Sequence, residues 1–133
     1  MDPKFSHLFV PLQVGPVVLK NRIAVSPHGP MYAVDGLITQ RYIDYEIEKA
    51  KGGAGLIIMS FGLADPDAPE NDEPTWRALV ATWRKENIPL FRKIVDGAHA
   101  HDCRIFFQFG ESNQVRLGRA GDRSPARSHS RGH

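Results

Sequence analysis

Cysteine is nearly absent from this chain: Cys103 is the only one. A single thiol excludes an intrachain disulfide and a cysteine-based metal cluster. No apolar run approaches the ~18–20 residues needed to cross a bilayer. The opening MDPKFSHLF has neither the basic stretch nor the long apolar stretch of a secretory signal. Together these place the expected setting in a reducing cytoplasm, away from membranes. Net charge is also scarce, at +2 over 133 residues, too little to imply a specific nucleic-acid partner. Even that charge is local. Residues 112–133 hold five of the 17 basic residues and one of the 15 acidic ones, which leaves 12 against 14 before them. Residues 112–133 (SNQVRLGRAGDRSPARSHSRGH) offer almost no apolar surface to offset chain ordering and read as a disordered basic tail.

What the chain does contain is one domain's worth of apolar patterning over residues 1–111. Phe5, Leu8 and Phe9 are candidates to fasten the N-terminus onto a core. Gln13–Leu19, centred on Gly15-Pro16, reads as a short hairpin. Arg22–Ser26 is the first core strand, and Ser26-Pro27-His28-Gly29 opens the polar loop that follows it. A lone histidine in a loop is usually a bystander. This one stands beside a glycine at a strand's end, where backbone can approach a ligand. The spacing then predicts a helix over 40–51. Thr39 is its N-cap, Ile43, Ile47 and Ala50 form its apolar stripe, and Gly52 or Gly53 its left-handed stop.

Gly55–Ser60 is a continuous apolar run of the kind a strand covered on both faces requires. Residues 65–74 (DPDAPENDEP) match no calcium-loop spacing and read as a solvated loop. A short helix is expected over 75–83, with Trp76, Leu79 and Trp83 on one side. Asn87 or Ile88 caps the next helix, which carries Pro89 in its first turn and ends near Asp102. His99 and His101, two residues apart on it, point in different directions and make no metal pair. Residues 104–109 (RIFFQF) form the third strand. Gln108 near its end would need a paired amide if buried, which marks it as a site candidate. Strand, helix, strand, helix, strand implies parallel neighbours with the helices on one side. Two architectures satisfy it: the opening of a (β/α)8 barrel, or a small open α/β sheet.

The run FxxLFxPxxVGxxxLKNRIxxSPH over residues 5–28, followed by AKGGAGLII at 50–58, resembles the N-terminus of the old yellow enzyme family. The NADH:flavin oxidoreductases similar to 2,4-dienoyl-CoA reductase are the most alike, and the likeness continues through IPLFRKIVDGAHAHDCRIFFQF (88–109). The resemblance implies a TIM barrel binding FMN, reduced by NAD(P)H and passing hydride to a small-molecule alkene or enoyl substrate. It implies that Ser26, Pro27, His28 and Gly29 lie against the flavin ring and that Gln108 pairs with its pyrimidine edge. Relatives carry a small residue after the second strand. Ungapped, that position is Phe61, with Ser60 and Gly62 on either side, and Ser60 is the candidate retained. No catalytic or metal-binding residue is expected within this stretch. About three of eight βα units are present, so the barrel is expected to be incomplete. A non-catalytic α/β fragment or interaction module is the alternative.

Overall fold

The computed structural model of the protein describes residues 3–60, 62 and 77–109. The 65–74 loop, Phe61 and the 112–133 tail lie outside the described residues. A 3-10 helix over Pro3–Phe9 leads into a hairpin, β1 (Leu12–Val14) and β2 (Val17–Leu19), paired antiparallel from Leu12–Leu19 to Val14–Val17. Gly15 takes a left-handed φ of 54° at the first loop position, as a primed hairpin turn demands.

The core sheet is β3 (Ala24–Val25), β4 (Leu56–Met59) and β5 (Arg104–Phe107), in that order and all parallel. β3 is shorter than the expected 22–26. Ile23 nonetheless extends its pairing, because the Ile23 carbonyl accepts from the Gly55 and Leu56 amides. Helix α1 (Gln40–Lys51) joins β3 to β4, and α2 (Ile88–His99) joins β4 to β5. Both helices pack on one side of the sheet, where Ile43, Ala50, Ile94 and Ala98 meet Ile57 and Met59. Ile57 and Ile94 are wholly buried, each worth about 1.5–3 kcal/mol relative to exposure. Gly97 lets the helices approach, since a Cβ there would run into the Ile47 side chain. Among the described residues no helix is long and apolar enough to cross a membrane.

The helix ends follow their expected chemistry. Thr39 caps α1, its hydroxyl accepting from the Tyr42 amide and donating to the Tyr32 carbonyl. Gly53, at φ 100°, closes α1 with its own amide on Ala50 O and the Ala54 amide on Lys49 O. α2 closes in the same pattern without a glycine. Asp102 holds φ 52°, and the Asp102 and Cys103 amides reach His99 O and Ala98 O, so α2 ends at His99, three residues short of the expected end, and a turn carries the chain on to Asp102.

Three expectations are corrected. Phe5, Leu8 and Phe9 are each more than 40% exposed, so they do not anchor the N-terminus. The Leu8 carbonyl, which accepts from the Arg22 amide at 2.8 Å, ties it instead. Residues 77–83 are not a helix beyond Arg77, and Thr75 and Trp76 lie outside the described residues. Their backbone bonds to the 33–36 segment instead: Ala33 N to Ala78 O, Gly36 N to Arg77 O and Ala81 N to Gly36 O. Asn87 occupies the first position before α2 but makes no cap bond. Its buried side chain turns inward to Ile38 N, Gly36 O and Ala81 O, each at 2.9 Å.

Candidate functional site at the strand ends

In a parallel sheet successive side chains alternate between faces. Ile57, Met59 and Ile105 point toward the helices and their core. Ala24, Ile58 and Phe106 therefore point to the opposite face, which no described helix covers. There Ala24 and Phe106 are exposed and Ile58 is half-buried. Carried one residue past each strand, the alternation puts Ser26, Ser60 and Gln108 on this same open face. The ladder supports the extension at β5, since the Gln108 amide donates to Met59 O at 3.2 Å. A Cβ built on Gly29 would lie 3.8 Å from Ser60 Oγ, so the loop after β3 returns to the end of β4.

The structure thus brings Ser26, Pro27, His28, Gly29, Ser60 and Gln108 to one end of the sheet. Ser60 is half-buried and the others are exposed. Exposure removes the reason first given for singling out Gln108: its amide is not desolvated, and water can satisfy it. Gly29 likewise owes nothing to its own chain. Its φ is not positive, and a Cβ there would make only ordinary contacts at 3.6–3.8 Å. Met31, two residues on, holds φ 56°, a conformation that costs a non-glycine residue about 1–2 kcal/mol.

His28 does not hang free in its loop. Its Nε2 lies 2.5 Å from the Tyr45 hydroxyl, and the two rings meet edge to face at 5.6 Å. Nδ1 lies 3.4 Å from Ser26 O, which can only accept. The proton therefore sits on Nδ1, and Nε2 accepts from Tyr45. Burial, then the Glu46 carboxylate, then Tyr32 push the Tyr45 phenol above its ordinary range, which keeps it a neutral donor. Tyr45 is itself framed by Tyr32, edge to face at 5.4 Å, and by Lys49 Nζ 4.2 Å from its ring centre. Lys49 pairs with the buried Glu46 carboxylate at 2.8 Å, and Arg41 covers the outer face of Tyr32 at 4.0 Å. Sequence reasoning missed Tyr45, Glu46 and Lys49. The available signal was their i, i+1, i+4 spacing beside the apolar stripe of α1. Among the described residues no group of three His, Cys, Asp or Glu could hold a metal ion.

Three adjacent parallel strands, helices on one side and a polar cluster at the strand ends define the start of a (β/α)8-type α/β protein, without a closed barrel. The family model for the NADH:flavin oxidoreductase / NADH oxidase family matches residues 7–119. The chain belongs to that family. It is 35% identical over 106 residues to the N,N-dimethylglycine/sarcosine dehydrogenase of Chromohalobacter salexigens, covering 78% of this chain and 15% of that protein. It is 30% identical over 112 residues to the NADPH dehydrogenase of Listeria monocytogenes, covering 82% and 31%. Among solved structures, morphinone reductase in complex with tetrahydroNAD superposes with a TM-score of 0.66 at 26% identity, over 77% of this chain and 26% of that one. The old yellow enzyme from Trypanosoma cruzi gives 0.68 at 22% identity, over 92% and 33%. The chain therefore spans between about a seventh and a third of the length of these relatives.

Proposed function

We propose that this chain is the N-terminal, flavin-facing portion of an FMN-dependent NAD(P)H oxidoreductase acting on a small-molecule alkene or enoyl substrate. The observation carrying this reading is the shared open face of Ser26, Ser60 and Gln108 at three adjacent strand ends. A flavin ring system is flat and apolar, with a polar pyrimidine edge, and this face offers both chemistries. Ile58 and Phe106 supply apolar surface, while the Gln108 amide supplies one donor group and one acceptor for alternating carbonyl and N–H groups. The Ser26–Gly29 backbone would lie against the ring, with Gly29 leaving room for it. Ser60 would stand at the second strand end. Bound FMN would supply hydride transfer between the nicotinamide and the substrate; the chain supplies position and electrostatics. Tyr45 would fix the His28 ring and its tautomer. Residues 1–111 form this portion and 112–133 a basic tail, in a cytoplasmic setting.

A second substrate class has support of its own. Relatives at 35% and 33% identity are named for N-methyl amines, the dimethylglycine/sarcosine dehydrogenase and a probable N-methylproline demethylase from Rhizobium meliloti. The chain by itself is expected not to turn over. Phosphate binding in (β/α)8 barrels is frequently built after the seventh and eighth strands, and the missing charge-assisted bonds are worth about 1.5–3 kcal/mol each. Two or three of them separate sub-micromolar from millimolar binding.

The test is an amide NMR titration of the 133-residue chain with FMN. Weak, millimolar-range shifts are expected at residues 26, 28, 29, 60 and 108, with no flavin retained through a desalting column. Shifts confined to the helix side of the sheet would overturn the site. Stoichiometric retention, bleached by NADH, would overturn the claim that the chain is only part of the enzyme.

A further inference from the structure

Among the described residues Glu46 is the one buried carboxylate, at 1% exposure. An ion pair in such a place adds little net stability over apolar side chains of similar volume, because both charges must leave water. Stability alone therefore does not account for it. Its cation, Lys49, stands one turn further along α1 with a side chain only 14% exposed. From 2.8 Å away, Glu46 holds that ammonium 4.2 Å from the centre of the Tyr45 ring. An ammonium over a phenol face is attracted to it and resists rotation of the ring. Tyr45 in turn reaches His28 Nε2 at 2.5 Å, and His28 Nδ1 faces Ser26 O. All of these contacts lie between the loop after β3 and α1.

We propose that Glu46 and Lys49 are positioning residues for His28. The pair fixes the Tyr45 ring, and the Tyr45 hydroxyl fixes the imidazole with Nε2 accepting and Nδ1–H turned toward Ser26. The pair bears on the reaction only if the 26–29 loop faces flavin, the reading proposed above. The loop needs such an anchor. Gly29, Pro30 and Met31 lie between His28 and Tyr32, and Met31 holds φ 56°. A strained residue persists only where its surroundings over-determine it. Here α1 grips both sides of the strained segment. His28 is held by Tyr45, while Tyr32 is held through its carbonyl, which accepts from the Thr39 hydroxyl at 2.6 Å, and through its ring, covered by Arg41 at 4.0 Å. Tyr45 links the two grips, because it also meets Tyr32 edge to face at 5.4 Å. A side chain on the ligand face is thus locked by a second layer of contacts, which is what a preorganised site requires.

The experiment is long-range nitrogen NMR of the His28 ring in the full 133-residue chain, first without flavin and then titrated with FMN, with folding of each variant checked by circular dichroism. The parent ring should give the Nδ1–H pattern. Lys49→Met keeps the apolar stem and removes the charge, and Glu46→Gln removes the carboxylate charge that holds the ammonium. Each should move the ring to a mixture of tautomers. Lys49→Arg keeps a cation over Tyr45 and should retain the parent pattern. With FMN, the shift at His28 should shrink in Lys49→Met while those at Ser60 and Gln108 persist. A His28 pattern indifferent to Lys49→Met and Glu46→Gln, even with stability lowered, would overturn the proposal and leave the flavin reading intact. Lys49→Arg behaving like Lys49→Met would overturn it too. So would loss of the fold in Lys49→Met, since the pair would then hold the core rather than His28. Parent FMN shifts absent at residues 28, 60 and 108 alike would instead remove the flavin reading, and with it the role given to the pair.

Discussion

Replacing Asn87 by alanine should destabilise the protein far more than loss of a helix cap would. The side chain is fully buried and reaches three backbone groups. Two of these keep another partner: Gly36 O still accepts from Ala81 N, and Ala81 O from Arg84 N. Each of those lost bonds is worth about 0.5–1.5 kcal/mol net. Ile38 N is different, because the Asn87 carbonyl is its partner and Ile38 is buried. Orphaning that amide costs about 1–3 kcal/mol. The total is about 2–6 kcal/mol, a large share of the 5–15 kcal/mol typical of a domain. A simple N-cap loss would cost about 0.5–2 kcal/mol.

Asn87→Asp separates the two roles. Aspartate caps helices as well as asparagine does, so a capping role predicts almost no change. In the buried role the carboxylate can still accept from Ile38 N, but it faces Gly36 O and Ala81 O with no hydrogen to give. Its loss at neutral pH should then match or exceed that of alanine, and shrink in acid as the carboxyl regains a donor. Urea denaturation read by tryptophan fluorescence gives the energies, and amide exchange at Ile38 reads the bond itself. Asn87→Asp within about 0.5 kcal/mol of the parent, with Ile38 exchange unchanged, would refute the reasoning. The consequence extends to the site, because Asn87 holds 36–38 directly downstream of the Ser26–Met31 loop.

Gly97→Val should cost about 1–3 kcal/mol by overpacking against Ile47, and Ile47→Ala in the same chain should return part of that loss; additive losses would sink the idea. Burial first, then the Glu46 and Tyr45 charges, raise the Tyr42 phenol well above its ordinary 10. The unfolded chain releases that proton first, so stability present below pH 10 should fall above it, by up to about 1.4 kcal/mol per pH unit. Tyr42→Phe should flatten that alkaline decline in urea melts, and an unchanged slope would count against the assignment. Tyr45→Phe removes the donor to His28 Nε2. Nitrogen NMR should then show the ring moving from the Nδ1–H form to a mixture of tautomers, whereas an unaltered spectrum would mean that Tyr45 does not set the tautomer.

Local periodicity and turn chemistry carried most of the architecture. The 3.6-residue stripe and the Thr39 and Gly53 caps delimit α1 because each acts within one or two turns of helix. Gly15-Pro16 marks its turn for the same reason, and Gly15 holds positive φ. Alternation of buried strands with amphipathic helices was enough to imply parallel neighbours, which the β3–β4–β5 register shows. The choice of a barrel over a small open sheet rested on the family resemblance, and the described residues hold three parallel strands without a closed barrel. Only the tertiary structure decided the rest. Asn87 looked like a cap because its true partners lie as far as 51 residues away. Gln108 looked buried among its apolar neighbours in sequence, yet strand alternation turns it to the open face. His28 looked like a solitary loop residue until α1 brought Tyr45 to 2.5 Å from it. A side chain's neighbours along the chain set its backbone conformation, but which atoms it meets depends on how distant segments pack, and no short-range pattern encodes that distance.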